Sequence, residues 1–569
     1  MIRLILSEKI LYYYIVNFRN IVNDYKIYDI ELTMRHFMKI LIITGNLAYP
    51  LIKDVVKGLK ENIIVHVANT QVAAFLTPNQ IINEIRENFS DELDEIDLIL
   101  VPGLIKKGTS EITKAIGVPT FKGSTDGADL AMVINLLDKI ELSEDKPADK
   151  LIAEEKRKEA LKFIEDFEND EDKIRELLKK PNNMMIGNLP VGEDFPMRVL
   201  AEIANAPFLS KEDLIKKCQF FVDSGADMID IGMAAGEDYS DKIPDLINTL
   251  RPIVGNRPLS IDTLNPKEIK VACENGIDFV LSVDLGNAPK VRDTLKEYDV
   301  PAVLLPTNFT EGISPETPKE RVDAMAELIK KTEGVSGVAD LILDPVNSSS
   351  IVESIIACHD FHKINPMPMF FGVGNVSELM DADSTGVNAL LAGIGMELGV
   401  SILFTPEESG KTRGSVYELA IASKMMFLAK NRNSIPKDLG INLVEFKDKH
   451  IKLDLVDVDI DEVERVKRDS PMKFSRDPAG SFKITVKHGS TVDKSRIFAI
   501  HFKKNQPDLI IEGTTAKEVY EEIINQKLVT RMEHAAYLGS ELQKAEIAKI
   551  TKKDYVQDFD LFKVPEKFN

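Results

Sequence analysis

From Met38 onward the hydrophobic positions fall into short unbroken runs separated by amphipathic stretches. KILIITG, IIVHVAN, IDLILVPG and VPTFKG read as strands, and the stretches from Val55 to Lys60 and from Gln80 to Asn88 read as helices between them. Short buried strands alternating with helices predict a parallel sheet, because parallel neighbours need a crossover. Residues 38–140 are therefore expected to form a Rossmann-like or flavodoxin-like α/β domain. Gly45, Gly103 and Gly123 each follow a strand, where an open sheet binds ligands. No GxGxxG accompanies them, so turn glycines are the favoured reading.

Residues 141–182 change to charge, with Glu154, Glu155, Lys156, Arg157 and Lys158 leading into an amphipathic stretch bearing Leu161, Ile164 and Phe167. This predicts a helical connector whose charges solvate its outer face. Between 183 and 432 the alternation resumes. A hairpin (MMIGNLPVG) precedes candidate strands at RVLAEIA, DMIDIG, PLSIDT, DFVLSVD, PAVLLPT, LILDPV, MFFGVGN and SILFTP. Helices are expected at Lys211 to Asp223, Pro266 to Glu274, Lys319 to Lys331 and Val416 to Leu428. Eight strand and helix pairs in about 250 residues predict a TIM (β/α)8 barrel. In residues 433–569, alternating segments (HIKLDLVDVDI, SFKITVKH, IFAIHFKK, DLIIEG) precede helices starting near Ala516 and Met532, which predicts an α+β domain. His534 and Glu541 fall on the second of these helices, where an alanine-rich packing face is the simpler reading.

Composition narrows the functional classes. At 569 residues the chain exceeds one compact domain, and 44% hydrophobic with 29% charged residues is ordinary for a globular protein. A net charge of −21 argues against sequence-independent binding of nucleic acid, which needs a basic surface. The 3 cysteines, Cys218, Cys273 and Cys358, are odd in number and lack C-x-x-C spacing, so neither a disulfide framework nor a thiolate zinc site is expected, and a reducing cytoplasm is. No run reaches the roughly 18 apolar residues of a membrane span. In residues 1–37 the apolar run from Leu11 to Val16 is broken by Asn17 and Arg19 and has no small-residue cleavage site. That stretch is read as a poorly ordered arm or, in preference, an over-extended start.

Side chains at the C-terminal ends of barrel strands converge on one mouth. The third strand is expected to end in Asp262, the sixth in Asp344 and the seventh in Asn375; the second adds Asp230, and Asn205 follows the first. Carboxylates buried beside apolar residues need partners. A planar ligand with an N–H donor edge supplies them, since a carboxylate accepts two parallel bonds from the 2-amino group and N3–H of a pterin. A purine or a flavin would meet the same need. A metal at Asp262 and Asp344 lacks a histidine at any strand end, and Cys358, His359 and His362 lie on the helix after the sixth strand, so no metal site is expected. No Ser/His/Asp arrangement can be placed at the mouth.

The order GADMIDIG (Gly225 to Gly232), SIDTLNPKEIKVACENG (Ser260 to Gly276) and then LILDP resembles dihydropteroate synthases and their pterin-binding relatives, including archaeal synthase-related proteins. The resemblance covers the barrel segment and neither flank. It implies that Asp262 and Asp344 hold a pterin ring, with Asn205 and Asp230 near the mouth of the first two strands. Several family features are replaced. MAAGEDY (Met233 to Tyr239) stands where the synthases have E-S-T-R-P-G, and Leu281 or Ser282 stands where they have a strand-four Asn, leaving Ser282 and Asp284 as candidate polar contacts. Gly374, Asn375 and Val376 replace S-R-K, and FTPEES lacks R-x-H. GVGNVS (Gly372 to Ser377) instead resembles methyltransferases that pass a methyl group from N5 of a methyltetrahydropterin to a corrinoid. The Asn matching Asn375 bonds the pterin near N5 there.

Ser409, Gly410, Lys411, Thr412 and Arg413 follow the eighth strand and open the last helix, where TIM barrels bind phosphate. Lys411 and Arg413 are the candidate catalytic cations for a departing diphosphate. GKT is not a P-loop, because Thr405 stands where its first Gly is required. The leading expectation is a transferase that condenses a pterin methyl diphosphate with an arylamine in folate or tetrahydromethanopterin biosynthesis, with Mg²⁺ accompanying the diphosphate. The alternatives are a methyltransferase served by a corrinoid protein and a non-catalytic pterin binder. A homodimer is the candidate assembly.

Overall fold

The computed structural model describes residues 38–59, 62–444 and 475–562. The expected extension 1–37 and the expected strand HIKLDLVDVDI lie outside the described residues. The chain divides into two units at residues 159 and 160.

In the first unit, β1 (Lys39–Thr44), β2 (Asn62–Val67), β3 (Leu98–Val101) and β4 (Thr120–Lys122) form a parallel sheet in the order β2-β1-β3-β4. β1 and β3 occupy its centre and are buried on both faces, which is why KILIIT and LILV carry no polar alternation. Helix Pro78–Phe89 starts at Thr77 with a capping box closed by Gln80, and it buries Ile81, Ile82 and Ile85. The helix after β1 is Tyr49–Val56, earlier than the expected Val55 to Lys60, because Pro50 sits in its first turn, where a missing N–H is harmless. A Cβ at Gly103 would lie 2.6 Å from the carbonyl oxygens of both Gly123 and Ser124, and one at Gly45 2.8 Å from the Ala73 nitrogen. Glycine stands at both positions because the backbone behind each strand end passes too close for a side chain.

The second unit opens with the antiparallel hairpin β5 (Asn183–Ile186) and β6 (Leu189–Gly192). A closed parallel barrel follows: β7 (Arg198–Ile203), β8 (Met228–Gly232), β9 (Leu259–Asp262), β10 (Phe279–Val283), β11 (Ala302–Leu304), β12 (Gly337–Ala339), β13 (Met369–Gly372) and β14 (Val400–Thr405). Its inward face is filled by Leu200, Met228, Phe279, Leu281, Val303, Val338, Phe370 and Ile402, and Ile186 and Val191 of the hairpin join that cluster. Arg198, at the start of β7, donates to the Pro190 carbonyl at 3.0 Å, which sets the hairpin at the end opposite the mouth. The outward face of the same strands, including Val199, Ile203, Ile229 and Ile231, packs on the surrounding helices.

One strand departs from expectation. LILDPV is not the sixth strand. β12 lies at Gly337–Ala339, where Val303 pairs with Val338, and the chain then turns at Ile342, which takes φ of 67°. Apolar residues run almost without alternation from Gly337 to Leu343, so periodicity could not fix the register. MFFGVGN likewise ends as strand at Gly372, and Gly374–Ser377 is a helical turn.

The C-terminal part packs an antiparallel meander, β15 (Ser481–Lys487), β16 (Arg496–Lys503) and β17 (Gln506–Gly513), against helices Ala516–Asn525 and Met532–Thr551. Strict alternation buries Phe482 and Ile484 of β15 and Ile497 and Ala499 of β16 on one face, against Leu538, Leu542 and Ala545. On the second helix, His534 bonds Asp477 at 3.0 Å and Glu541 accepts Tyr555 at 2.8 Å, so both tie this part together. Gly103→Ala is expected to destabilise the first unit by about 1–3 kcal/mol, since backbone rather than side chains must yield. Urea unfolding of the full chain, compared with Gly58→Ala, whose Cβ meets nothing within 4 Å, measures it.

Candidate functional site

Inward-facing positions recur every second residue along a strand. Leu200 is therefore followed inward by Glu202 on β7, Met228 by Asp230 on β8, Ser260 by Asp262 on β9, and Val338 by Asp340 just past β12. Register pairs Glu202 with Asp230 and Gly232 with Asp262. One carboxylate oxygen from each of Glu202, Asp230 and Asp262 lies within 4.8 Å of the other two. A Cβ at Gly232 would fall 2.2 Å from Glu202 Oε1, so the absence of a side chain there makes room for the glutamate.

Asp230 is fully buried; its Oδ1 accepts the Ser260 hydroxyl at 2.5 Å, and its Oδ2 has no partner among the described residues. Burial, then the charges of Asp262 and Glu202, hold its pKa well above the usual range. Burial and neighbouring carboxylates likewise raise Asp262, which feels Asp340, and Glu202, which feels Asp262 and Glu408. Asp340 is pushed up to about 7 by burial, against the opposing effects of the Ile342 N–H and Arg321.

Asp344 has a different environment. It stands in the loop after β12 rather than at a strand end. Its Oδ2 is ion-paired with the buried Arg321 and accepts Ser354 at 3.0 Å. Arg321 also donates to the carbonyls of Leu341 at 3.1 Å and Ile342 at 2.7 Å, fixing the whole turn. Asn375, exposed in the helical turn after β13, donates from Nδ2 to the Leu343 carbonyl at 3.1 Å. That contact brings it beside Asp344 and leaves its Oδ1 as the acceptor end.

The remaining candidates are more dispersed. Asn205 is exposed, takes φ of 52° and precedes the short turn Ala206–Phe208. Ser282 is partly buried on β10, and its carbonyl accepts Asn287 at 3.1 Å. Asp284 is not a free polar contact: its carboxylate accepts the N–H groups of Gly286 at 3.0 Å, Asn287 at 2.8 Å and Phe309 at 2.7 Å. The MAAGEDY loop is tied to the next strand end by Glu268, which accepts the Tyr239 N–H at 2.8 Å and the Thr263 hydroxyl.

Lys411 pairs with Asp381 at 3.1 Å, and Arg413 with Asp554 at 2.6 Å. The helix they precede begins at Ser415, and Glu407 already accepts the N–H groups of Gly414 at 2.7 Å and Val416 at 3.1 Å. Glu378 takes those of Glu408 at 2.8 Å and Ser409 at 3.2 Å. Carboxylates of the chain itself thus occupy the backbone donors that would cradle a phosphate. The Cys358, His359 and His362 group does not converge: Cys358 is buried with its thiol pushed up to about 12, while His362 faces Glu193 at 3.5 Å.

The family model described as "Pterin binding enzyme" matches residues 202–395, from Glu202 across the carboxylate cluster to the helix after Asn375. The chain belongs to the pterin-binding enzyme family. A second model, PterinBD-DUF4346, matches residues 476–558, the C-terminal meander and its helices. The uncharacterized protein MJ0107 of Methanocaldococcus jannaschii is 45% identical over 539 residues, covering 93% of this chain and 100% of that protein. Among solved structures, dihydropteroate synthase from Xanthomonas albilineans with 4-aminobenzoic acid is 16% identical, covering 45% of this chain and 100% of that one at a TM-score of 0.37. Dihydropteroate synthase from Thermus thermophilus is 14% identical, covering 42% of this chain and 97% of that one at a TM-score of 0.34.

Sequence reasoning missed Glu202, Asp340 and Arg321. Glu202 carried a usable signal, as a charge two residues after Leu200 in a buried strand. So did Arg321, which shares the apolar stripe of helix Pro318–Lys331 with Met325 and Leu328. Asp340 was lost with the register of β12.

Arg321→Met is expected to destabilise the fold by about 3–5 kcal/mol, because it strands the Asp344 carboxylate and three carbonyls. Adding Asp344→Asn should recover part of the loss in a double-mutant cycle by calorimetry. The mouth carboxyls have folded pKa values above their unfolded ones. Their protons are therefore held in the fold after the unfolded chain has lost them, and the stability they contribute is full below about pH 4 and lost as pH climbs toward the raised values. Asp230→Asn removes this penalty, so in chelator it should raise the Tm at pH 8 and raise it less at pH 5.

Proposed function

We propose that the barrel binds a reduced pterin at Asp262 and Asp344 and catalyses transfer at the one-carbon group the pterin carries. The observation that carries this reading is the unequal pair of aspartates. Arg321 and Ser354 both bind Oδ2 and fix the Asp344 side chain, so its Oδ1 is left to accept from the 2-amino and N3–H edge of a flat ring. Among the described residues no cation pairs with Asp262, which leaves it to accept a ligand's donor. Asn375 would meet the ring through Oδ1, with Asp230, Ser282 and Asn205 around the first, second and fourth strand ends.

The first reaction under this reading is condensation of a pterin methyl diphosphate with an arylamine. The amine nitrogen bonds to the exocyclic carbon, the carbon–oxygen bond to diphosphate breaks, the amine proton passes to a base, and pyrophosphate leaves. The motif order shared with dihydropteroate synthases, from GADMIDIG through SIDT to LILDP, supports it. Lys411 and Arg413 would assist departure once released from Asp381 and Asp554, and Mg²⁺ would travel with the diphosphate.

A second reaction, methyl transfer from N5 of a methyltetrahydropterin to a corrinoid protein, is favoured by two specific observations. Glu407 and Glu378 fill the backbone donors a diphosphate would use. Asn375 stands beside Asp344, where an N5 contact belongs. Exposed apolar side chains on the loops after β7, β11 and β13, namely Phe208, Phe309 and Leu379, would suit a partner over the mouth.

Asp262→Asn and Asp344→Asn should each weaken pterin binding by about 1.5–3 kcal/mol in calorimetric titration; unchanged affinity in both removes the pterin site from these residues. Release of pyrophosphate from a pterin methyl diphosphate and 4-aminobenzoate selects condensation. Loss of cob(I)alamin absorbance with methyltetrahydropterin selects methyl transfer, and neither, with pterin affinity intact, leaves a binding protein.

A further inference from the structure

We propose that Glu202, Asp230 and Asp262 form a site for a hard divalent cation of the Mg²⁺ or Mn²⁺ class, built into the barrel mouth by three adjacent strands. This goes beyond pterin recognition and holds for either reaction. The donors are carboxylate oxygens only, the set that selects Mg²⁺, Mn²⁺ or Ca²⁺ over softer metals. Their mutual separation of at most 4.8 Å fits one ion, since oxygens on opposite sides of an ion at about 2.1–2.4 Å lie about 4.2–4.8 Å apart.

A cluster of acids alone would be weak grounds. The independent observation is Asp230, which is wholly buried beneath the mouth and whose Oδ2 lacks any hydrogen-bond partner among the described residues. An unmatched buried carboxylate oxygen is costly, and Ser260 serves only the other oxygen. The nearby cations are committed elsewhere: Lys217, the cation that acts on Glu202, is ion-paired with Glu408, and Arg321 with Asp344. Asp340 adds a further acid beside Asp262. Gly232 belongs to the same construction, because a side chain there would displace Glu202 from the group. An ion here would keep Asp262 ionised, so that it stays an acceptor for a ligand's N–H edge.

The test is a Mn²⁺ titration of the full chain, stripped with chelator and free of pterin, read by loss of the aqueous Mn²⁺ electron-paramagnetic-resonance signal. The expected result is a single bound ion displaced by Mg²⁺, with Glu202→Gln and Asp230→Asn each weakening it more than about tenfold. A signal equal to the protein-free control, or wild-type affinity in both variants, overturns the proposal. Both substitutions keep side-chain shape and remove repulsion. If either fails to fold, the wild-type chain decides: a Tm raised by Mn²⁺ beyond a NaCl control of equal ionic strength supports the site, and no rise refutes it. Because pterin is absent throughout, failure here is distinct from failure of the pterin reading.

Discussion

Glu202, Asp230, Asp262 and Asp340 share the upper end of one closed barrel, and the guanidinium that reaches their neighbourhood, Arg321, is committed to Asp344 and to backbone carbonyls. That shortage of positive charge governs the mouth. Below lie Leu200, Met228 and Val338, which offer no hydrogen bonds, and Ser260, which among the acids donates only to Asp230 Oδ1, so the acids gain little by moving inward. Relief comes from protons, from a ligand with N–H donors, or from an ion. Each is something the fold does not itself contain, so the mouth is built to take up an occupant.

The two aspartates expected to hold the pterin illustrate the consequence. Asp344 is compensated within the protein, and its loop is pinned by three hydrogen bonds from the one Arg321 side chain, to Leu341, Ile342 and Asp344 itself, which makes it a rigid anchor formed before any ligand arrives. Asp262 sits on the neighbouring side of the mouth among like charges, so its state follows its occupant. A flat ring held between a fixed acceptor and a responsive one is oriented by the first and sensed by the second.

The barrel was legible because its strands are apolar runs of the right length between capped helices; Asp262 was legible because it closes such a run, and Asp230 because it interrupts one. The hairpin and the C-terminal meander were readable on the same grounds. Where both faces of a run are apolar, alternation carries no register. That is why β12 was set too late, why Asp340 went unnoticed and why Asp344 was placed on a strand instead of in a turn built by Arg321. Lys411 and Arg413 were readable as charges near a helix start. Their partners Asp381 and Asp554, distant in sequence, were not.

The end of β14 bears most directly on the chemistry. A helix N-terminus is a ready anion site, and barrels of this kind place one beside the substrate. In this chain the anion is Glu407, donated by the same loop, with Glu378 taking the donors just before it. An external diphosphate would have to displace Glu407 and Glu378 from the backbone donors, and Asp381 and Asp554 from Lys411 and Arg413, before gaining a contact. Under the proposed reading, a pterin without a diphosphate asks for none of this rearrangement and would meet the mouth as folded: Asp344 fixed by Arg321, Asn375 linked to Leu343, and the acids of β7, β8 and β9 open to a cation or a donor. Under the proposed reading, these occupied donors favour chemistry at the pterin ring itself, even though the order of motifs along the chain points to the synthases.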